Sequence, residues 1–281
     1  MADIIITGAS AGIGRALALA LGERPGGPRL LLVARRRQLL DESVARIAGR
    51  GGRAVAVPGD LGSLAAARDL SSRLLDLAEE GATLIHNAGI WPAKRVVTAE
   101  GLERSFVVNH LAPLVLQRSL LQAGRLSRVL VVSAGLIGKG RFDPDRTPHG
   151  DDFSALRTYC TTKLCFAIAM RDMAADHPEL DVLILHPGVV RTDLGARPGP
   201  LGWLLSLVKR ILEKPEDCAA RLVRILDRPR WSPPGAARWL ELEEERPWPA
   251  RACDEQTVRG VREATAALLP GEAGSRVDHE T

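Results

Sequence analysis

The chain has 281 residues, 46% of them hydrophobic, and carries 38 Lys and Arg against 34 Asp and Glu, a formal net charge of +4. That length supports one domain with a full core, and the arginines are scattered along the chain, which argues against a nucleic-acid surface. No run of about 18 uncharged apolar residues occurs, so no membrane-spanning helix is expected.

Four cysteines, Cys160, Cys165, Cys218 and Cys253, show neither Cys-x-x-Cys nor any metal-type spacing. They read as reduced thiols, and no metal site is expected. No basic segment followed by a long apolar stretch precedes the first apolar run, so no secretory signal is expected and the chain reads as cytoplasmic.

Short apolar runs alternate with longer helical patterns. Strands are expected at residues 3–7, 29–34, 53–57, 83–87, 128–133 and 181–186, each nearly continuous apolar sequence, as in strands covered on both faces. Helices are expected between them at 13–23, 38–50, 63–80, 100–122 and 155–176. This alternation predicts an α/β fold, a doubly wound parallel sheet of the Rossmann type in a single domain. Residues 134–153, polar and rich in Gly, Pro and Asp, read as a long loop. Further helices are expected near 215–226 and 254–268, and the last residues, 270–281, read as a disordered tail.

The first strand runs into Thr7-Gly8-Ala9-Ser10-Ala11-Gly12-Ile13-Gly14, which opens a helix. Glycines there let backbone approach a pyrophosphate, whose charge sits at the helix N-terminus. At the end of the second strand, NAD would be matched by an acid on its ribose hydroxyls. This chain has Arg35-Arg36-Arg37. Arg35, able to clamp a 2′-phosphate, favours NADP(H) over NAD(H). Asp60-Leu61 follows the third strand, where a carboxylate can meet the adenine amino group. Asn87-Ala88-Gly89 follows the fourth, Asn109 lies in the next helix, and Pro187-Gly188-Val189-Val190-Arg191-Thr192 follows the sixth. Open parallel sheets bind ligands outside the carboxyl ends of their strands.

Tyr159 is the only tyrosine, and Lys163 stands one helical turn after it on the same face. A nearby ammonium is expected to favour phenolate and lower the tyrosine pKa toward working pH.

Taken together, these motifs resemble the short-chain dehydrogenase/reductase family. The segment EGLERSFVVNHLAPLVL, the widened gap before YCTTKL and the ending P-x-x-A-x-D-E are similar to its retinol dehydrogenase and WW-domain oxidoreductase branch. The resemblance spans about residues 3–269, taken as one dinucleotide-binding and catalytic domain (1–269) with a substrate lid near 195–228. It implies an NADP(H)-dependent interconversion of a carbonyl and an alcohol. Tyr159 would be the acid or base, and Lys163 would hold the nicotinamide ribose and depress the tyrosine pKa. Asn109 would support a water-mediated proton path. Thr192 and the backbone at Val190 would orient the carboxamide.

Three departures stand out. His86 replaces the first asparagine of Asn-Asn-Ala-Gly and reads as a tolerated change at a strand end. The substrate-polarising serine is Ser133 if the strand end is shifted by one residue; otherwise that position is Ala134 and the hydroxyl is absent. Ser10-Ala11 lacks the basic residue some NADP-using relatives carry, so the cofactor assignment leans on Arg35. The apolar stripe at 201–212 suggests a lipophilic small-molecule substrate, and a core-packing or homo-oligomer contact is the competing reading. His149, Asp151 and Asp152 read as solvated loop residues. Recruitment of the fold for non-redox chemistry, or nucleotide sensing without turnover, remains the alternative.

Overall fold

A strand buried on both faces needs apolar residues at successive positions, and the apolar runs pair accordingly into one sheet. The computed structural model describes residues 2–191, 194 and 212–270. Its strands are β1 (Ile4–Thr7), β2 (Arg29–Ala34), β3 (Arg53–Pro58), β4 (Ala82–His86), β5 (Leu126–Val132), β6 (Asp181–His186), β7 (Ala237–Glu241) and β8 (Glu244–Glu245). They lie in the order β3-β2-β1-β4-β5-β6-β7-β8, parallel except for the β7–β8 hairpin. The doubly wound α/β sheet expected from the sequence is therefore present.

The helices are α1 (Gly12–Gly22), α2 (Arg37–Ala48), α3 (Leu64–Leu77), α4 (Arg104–Phe106), α5 (Ala112–Gln122), α6 (Ala155–Asp176), α7 (Pro215–Leu226), α8 (Ala250–Cys253) and α9 (Glu255–Leu268). A π-helical turn, Val107–Leu111, joins α4 to α5. Alternate strand residues feed two apolar layers. Ile5, Leu31, Val129 and Val182 pack with residues of α3, α5 and α6, whereas Ile6, Leu30, Leu130 and Leu183 pack with residues of α1, α2 and α7.

Two expectations need correction. The stretch after Pro229 was read as holding one helix, yet it also forms β7, which pairs in parallel with β6 and buries Trp239 and Leu240. Its five residues sit between Pro- and Glu-rich flanks, too short a run to announce a strand. The expected loop at 134–153 contains a 3₁₀ turn, Gly135–Lys139, and is fastened at both ends. Thr161 Oγ1 accepts from Arg141 N and donates to Arg141 O, while Arg95 bonds His149 O and pairs with Asp151 at 2.8 Å. His149 Nδ1 donates to Gly101 O, and Asp152 accepts from Thr147. These residues hold the loop in shape.

Of the lid expected near 195–228, only 212–228 is described, and it leads into α7 as anticipated. Thr192, the apolar stripe before Leu212 and residues 271–281 lie outside the described residues. Among the described residues, no helix is long and apolar enough to cross a membrane, and no His, Cys, Asp and Glu group could hold a metal ion.

Candidate active site

Chain order reverses across β1, which lies between β2 and β4, and a cleft opens at the carboxyl ends of these strands. Its floor includes Gly8, Ser10, Ala88, Gly89 and Ile90. The glycine-rich turn is held from beneath. Thr7 Oγ1 donates to Ile85 O and accepts from the N–H groups of Asn87 (3.0 Å) and Ala88 (3.1 Å). Asn87 Nδ2 donates to Thr7 O (2.9 Å) and Gly8 O (3.3 Å). Thr7 and Asn87 thus spend their polar atoms clamping β1 to β4, and shape the cleft from below. A Cβ at Gly14 would fall 2.4 Å from Asn87 Nδ2 and 2.5 Å from Gly8 O, so only glycine fits. Gly8 and Gly12 adopt positive φ. Ala11, the N-cap of α1, supplies no side-chain hydrogen bond, which leaves first-turn N–H groups for an anion.

Arg35 and Arg36, exposed at the end of β2, line the cleft with Asp60 and Leu61. Arg37 turns instead to Asp41, one helical turn along α2. Asp60 Oδ1 accepts from Gly62 N at 3.0 Å, which fixes its carboxylate. Helix N-terminus, tight glycine turn and unopposed arginines together suit a phosphorylated dinucleotide.

At the neighbouring strand ends, α6 presents Tyr159 and Lys163 one turn apart, both buried. Lys163 Nζ donates to Val132 O at 3.0 Å. Asn109, in the π turn, exchanges two bonds with the Ile90 backbone: Ile90 N donates to Oδ1 (2.8 Å) and Nδ2 donates to Ile90 O (3.0 Å). Its Nδ2 also donates to Thr162 Oγ1 (3.0 Å), which donates to Tyr159 O (3.1 Å). A π turn admits one extra residue and is frequent at functional sites; here it carries Asn109 against both α6 and the loop after β4. Gly89 fits this junction because a Cβ there would lie 3.2 Å from Lys163 Nζ and 3.3 Å from Asn109 Oδ1.

The expected lowering of the tyrosine pKa is not what this packing produces. Burial, with a smaller contribution from Cys160, pushes Tyr159 up to about 12. Burial also pulls Lys163 down to about 8. The ammonium is bonded to a strand carbonyl, so desolvation dominates both groups.

Ser133, directly after β5, is 5% exposed, and its hydroxyl is buried with no hydrogen-bond partner among the described residues. Ala134 packs in the apolar layer that includes Tyr159. His86 is fully buried, bonded through Nε2 to Gln117 Oε1 (2.9 Å) and set edge-on to Phe166, and burial lowers its pKa to about 4. It is a neutral core residue, as its reading as a tolerated change anticipated.

After β6, Pro187 O accepts from Arg221, which also forms a two-pronged ion pair with Glu213. Val190 bridges Glu213 in parallel, with Arg191 N donating to Glu213 O. In such a bridge the bonds run to flanking residues, leaving Val190's own peptide groups on the other edge. Arg221 and Thr162 were not singled out from the sequence, because each acts only through tertiary contacts. Trp91, stacked on Tyr159, and Arg36 and Arg104, which line the cleft, were missed as well.

Residues 2–142 match the family model described as short chain dehydrogenase. A Streptomyces protein provisionally named daunorubicin C-13 ketoreductase DnrU is 35% identical over 68% of this chain and 67% of its own length. Human retinol dehydrogenase 13 is 28% identical over 97% of this chain and 86% of its own. The crystal structure of a short chain dehydrogenase from Burkholderia cenocepacia in complex with NADP superposes with a TM-score of 0.63, at 22% identity over 85% of this chain and 95% of that one.

Proposed function

The chain belongs to the short-chain dehydrogenase family of nicotinamide-dependent oxidoreductases, and from that membership we propose an NADP(H)-dependent enzyme that interconverts a carbonyl and an alcohol on a small lipophilic substrate. The observation that carries this reading is the convergence of four groups at the ends of β4 and β5. They are the buried Tyr159 phenol, the Lys163 ammonium, the anchored Asn109 amide and the unpartnered Ser133 hydroxyl.

NADP(H) is the preferred partner because Arg35 and Arg36 line the cleft where NAD would be matched by a carboxylate. The pyrophosphate would lie along Gly8–Gly14 at the uncapped end of α1, with Asp60 and Leu61 at the adenine and Ala88-Gly89 beneath the ribose. Pro187, Gly188, the free peptide edge of Val190 and Thr192 would face the carboxamide. When bound, the nicotinamide gives or takes the hydride.

The chain's own residues handle the proton. A phenol pushed up to about 12 is fully protonated near neutrality, so Tyr159 stands ready as the acid for carbonyl reduction. Lys163, fixed by Val132 O, would bind the ribose hydroxyls and set a positive charge beneath the phenol. Ser133 would donate to the carbonyl oxygen and hold it against Tyr159. Asn109 keeps the loop after β4 in register with α6, so that acid and cofactor floor stay aligned. The aromatic wall of Trp91 suits a lipophilic substrate, in keeping with the ketoreductase and retinol dehydrogenase names of the relatives.

A panel of lipophilic ketones and aldehydes, followed by nicotinamide absorbance with NADPH and with NADH, tests the reading. NADPH consumption with alcohol formation, several-fold faster than with NADH, is expected. Product formation without NADPH consumption, or saturable nucleotide binding with no turnover, would contradict it.

A further inference from the structure

Arg104 opens α4 on the wall of the nucleotide cleft facing away from the β2 end. Val108, one helical turn later, lines the same cleft, so both side chains project from one helix face. The charged residues lining the cleft are Arg35, Arg36, Arg104 and Asp60, three cations against one anion. Among the described residues, no carboxylate pairs with any of the three arginines, whereas Arg37, Arg73 and Arg95 close by all do. Arg104 also sits at the wrong end of its helix. The backbone dipole disfavours a cation in the first turn, and the neighbouring Glu103 carboxylate is already used, accepting from Phe106 N and Ser105 Oγ. A cation so placed is at odds with its own helix and with its two neighbours, and an occupant of the cleft would reconcile it.

We propose that Arg104 is an adenine-recognition residue, its guanidinium plane lying on the purine face opposite the wall formed by the β2 end. This rests on the dinucleotide reading of the cleft. Arg35 and Arg36 are on the strand side, where the 2′-phosphate belongs, and Asp60 and Leu61 lie between the two walls. The group that meets Arg104 is then the flat, electron-rich base. A guanidinium stacks on such a face, while a lysine ammonium, which lacks the plane, does not replace it.

The test uses ADP-ribose and 2′-phospho-ADP-ribose as probes, titrated calorimetrically against the full chain, so that no catalytic step enters. Arg104→Ala is expected to weaken both probes by the same factor, about fivefold. Arg104→Lys should behave like Arg104→Ala. Arg35→Ala should weaken only the 2′-phosphorylated probe. Loss confined to the 2′-phosphorylated probe in Arg104→Ala, or rescue by lysine, would make Arg104 a phosphate ligand and overturn the proposal. Unchanged affinity for both probes at an unchanged melting temperature would also overturn it. If neither probe binds the wild-type chain, the dinucleotide reading itself fails, an outcome distinct from the failure of Arg104 alone.

Discussion

Trp91 stacks on Tyr159, with ring centroids 5.0 Å apart and planes 15° from parallel. The tryptophan comes from the loop after β4 and the tyrosine from α6, so the stack ties the cofactor floor to the acid. Such pairs contribute about 0.5–1.5 kcal/mol beyond burial. Trp91→Ala should therefore loosen the phenol and lower kcat/KM for the carbonyl by about tenfold. Trp91→Phe should retain most of it. Steady-state kinetics on both variants check this, and equal rates for wild type and Trp91→Ala would rule the positioning role out.

Lys163 gives a pH dependence with a definite sign. Its ammonium is pulled from 10.5 down to about 8 by burial. Below pH 8 both folded and unfolded chains carry the proton, and the desolvation penalty, on the order of 3 kcal/mol, is fully present. Between pH 8 and 10.5 the unfolded chain binds more protons, so stability rises with pH; above that range the penalty is gone. The nucleotide-free wild type should gain stability across this window relative to Lys163→Met, as read by urea unfolding at several pH values. Parallel curves for the two proteins would contradict the assignment. In catalysis the sign reverses: kcat/KM for NADPH should fall as pH rises through about 8, while Tyr159 stays protonated.

Ser133 and Ala134 separate two accounts of carbonyl polarisation. Removing a preorganised hydrogen-bond donor costs roughly 10²- to 10³-fold in kcat. Ser133→Ala should show a loss of that size with nucleotide affinity intact, because the buried hydroxyl has no other partner among the described residues. Ala134→Ser should bring little. A large gain from Ala134→Ser, with Ser133→Ala silent, would place the polarising position one residue later.

Gly14→Ala tests the clamp beneath the nucleotide. The new Cβ would meet Gly8 O and Asn87 Nδ2, both already held by Thr7. Forcing them apart should cost about 1–3 kcal/mol of stability and weaken ADP-ribose binding by tenfold or more. Calorimetry and thermal melting measure the two effects, and normal binding would show the turn to be more pliant than its packing implies.

The six apolar runs and the helices between them were legible in the sequence, because strands covered on both faces leave an unbroken apolar record. Tyr159, Lys163, Asn109 and Gly14 were legible because backbone geometry and helical spacing constrain them locally. What escaped depends on distant partners. β7 becomes a strand by covering the edge of β6, Arg221 matters through Pro187 and Glu213, and Trp91 through Tyr159. The sign of the Tyr159 shift was missed for the same reason. Spacing put the ammonium on the same helix face, but only the fold shows that it bonds Val132 O while burial acts on both groups.

The central claim is that Tyr159 delivers the proton that accompanies hydride transfer to a carbonyl. Single-turnover oxidation of enzyme-bound NADPH by a ketone accepted by the wild type, compared with Tyr159→Phe, tests it most directly. NADPH should bind the variant with near-normal affinity, while its oxidation slows by at least 10²-fold. Oxidation at the wild-type rate in Tyr159→Phe would contradict the account.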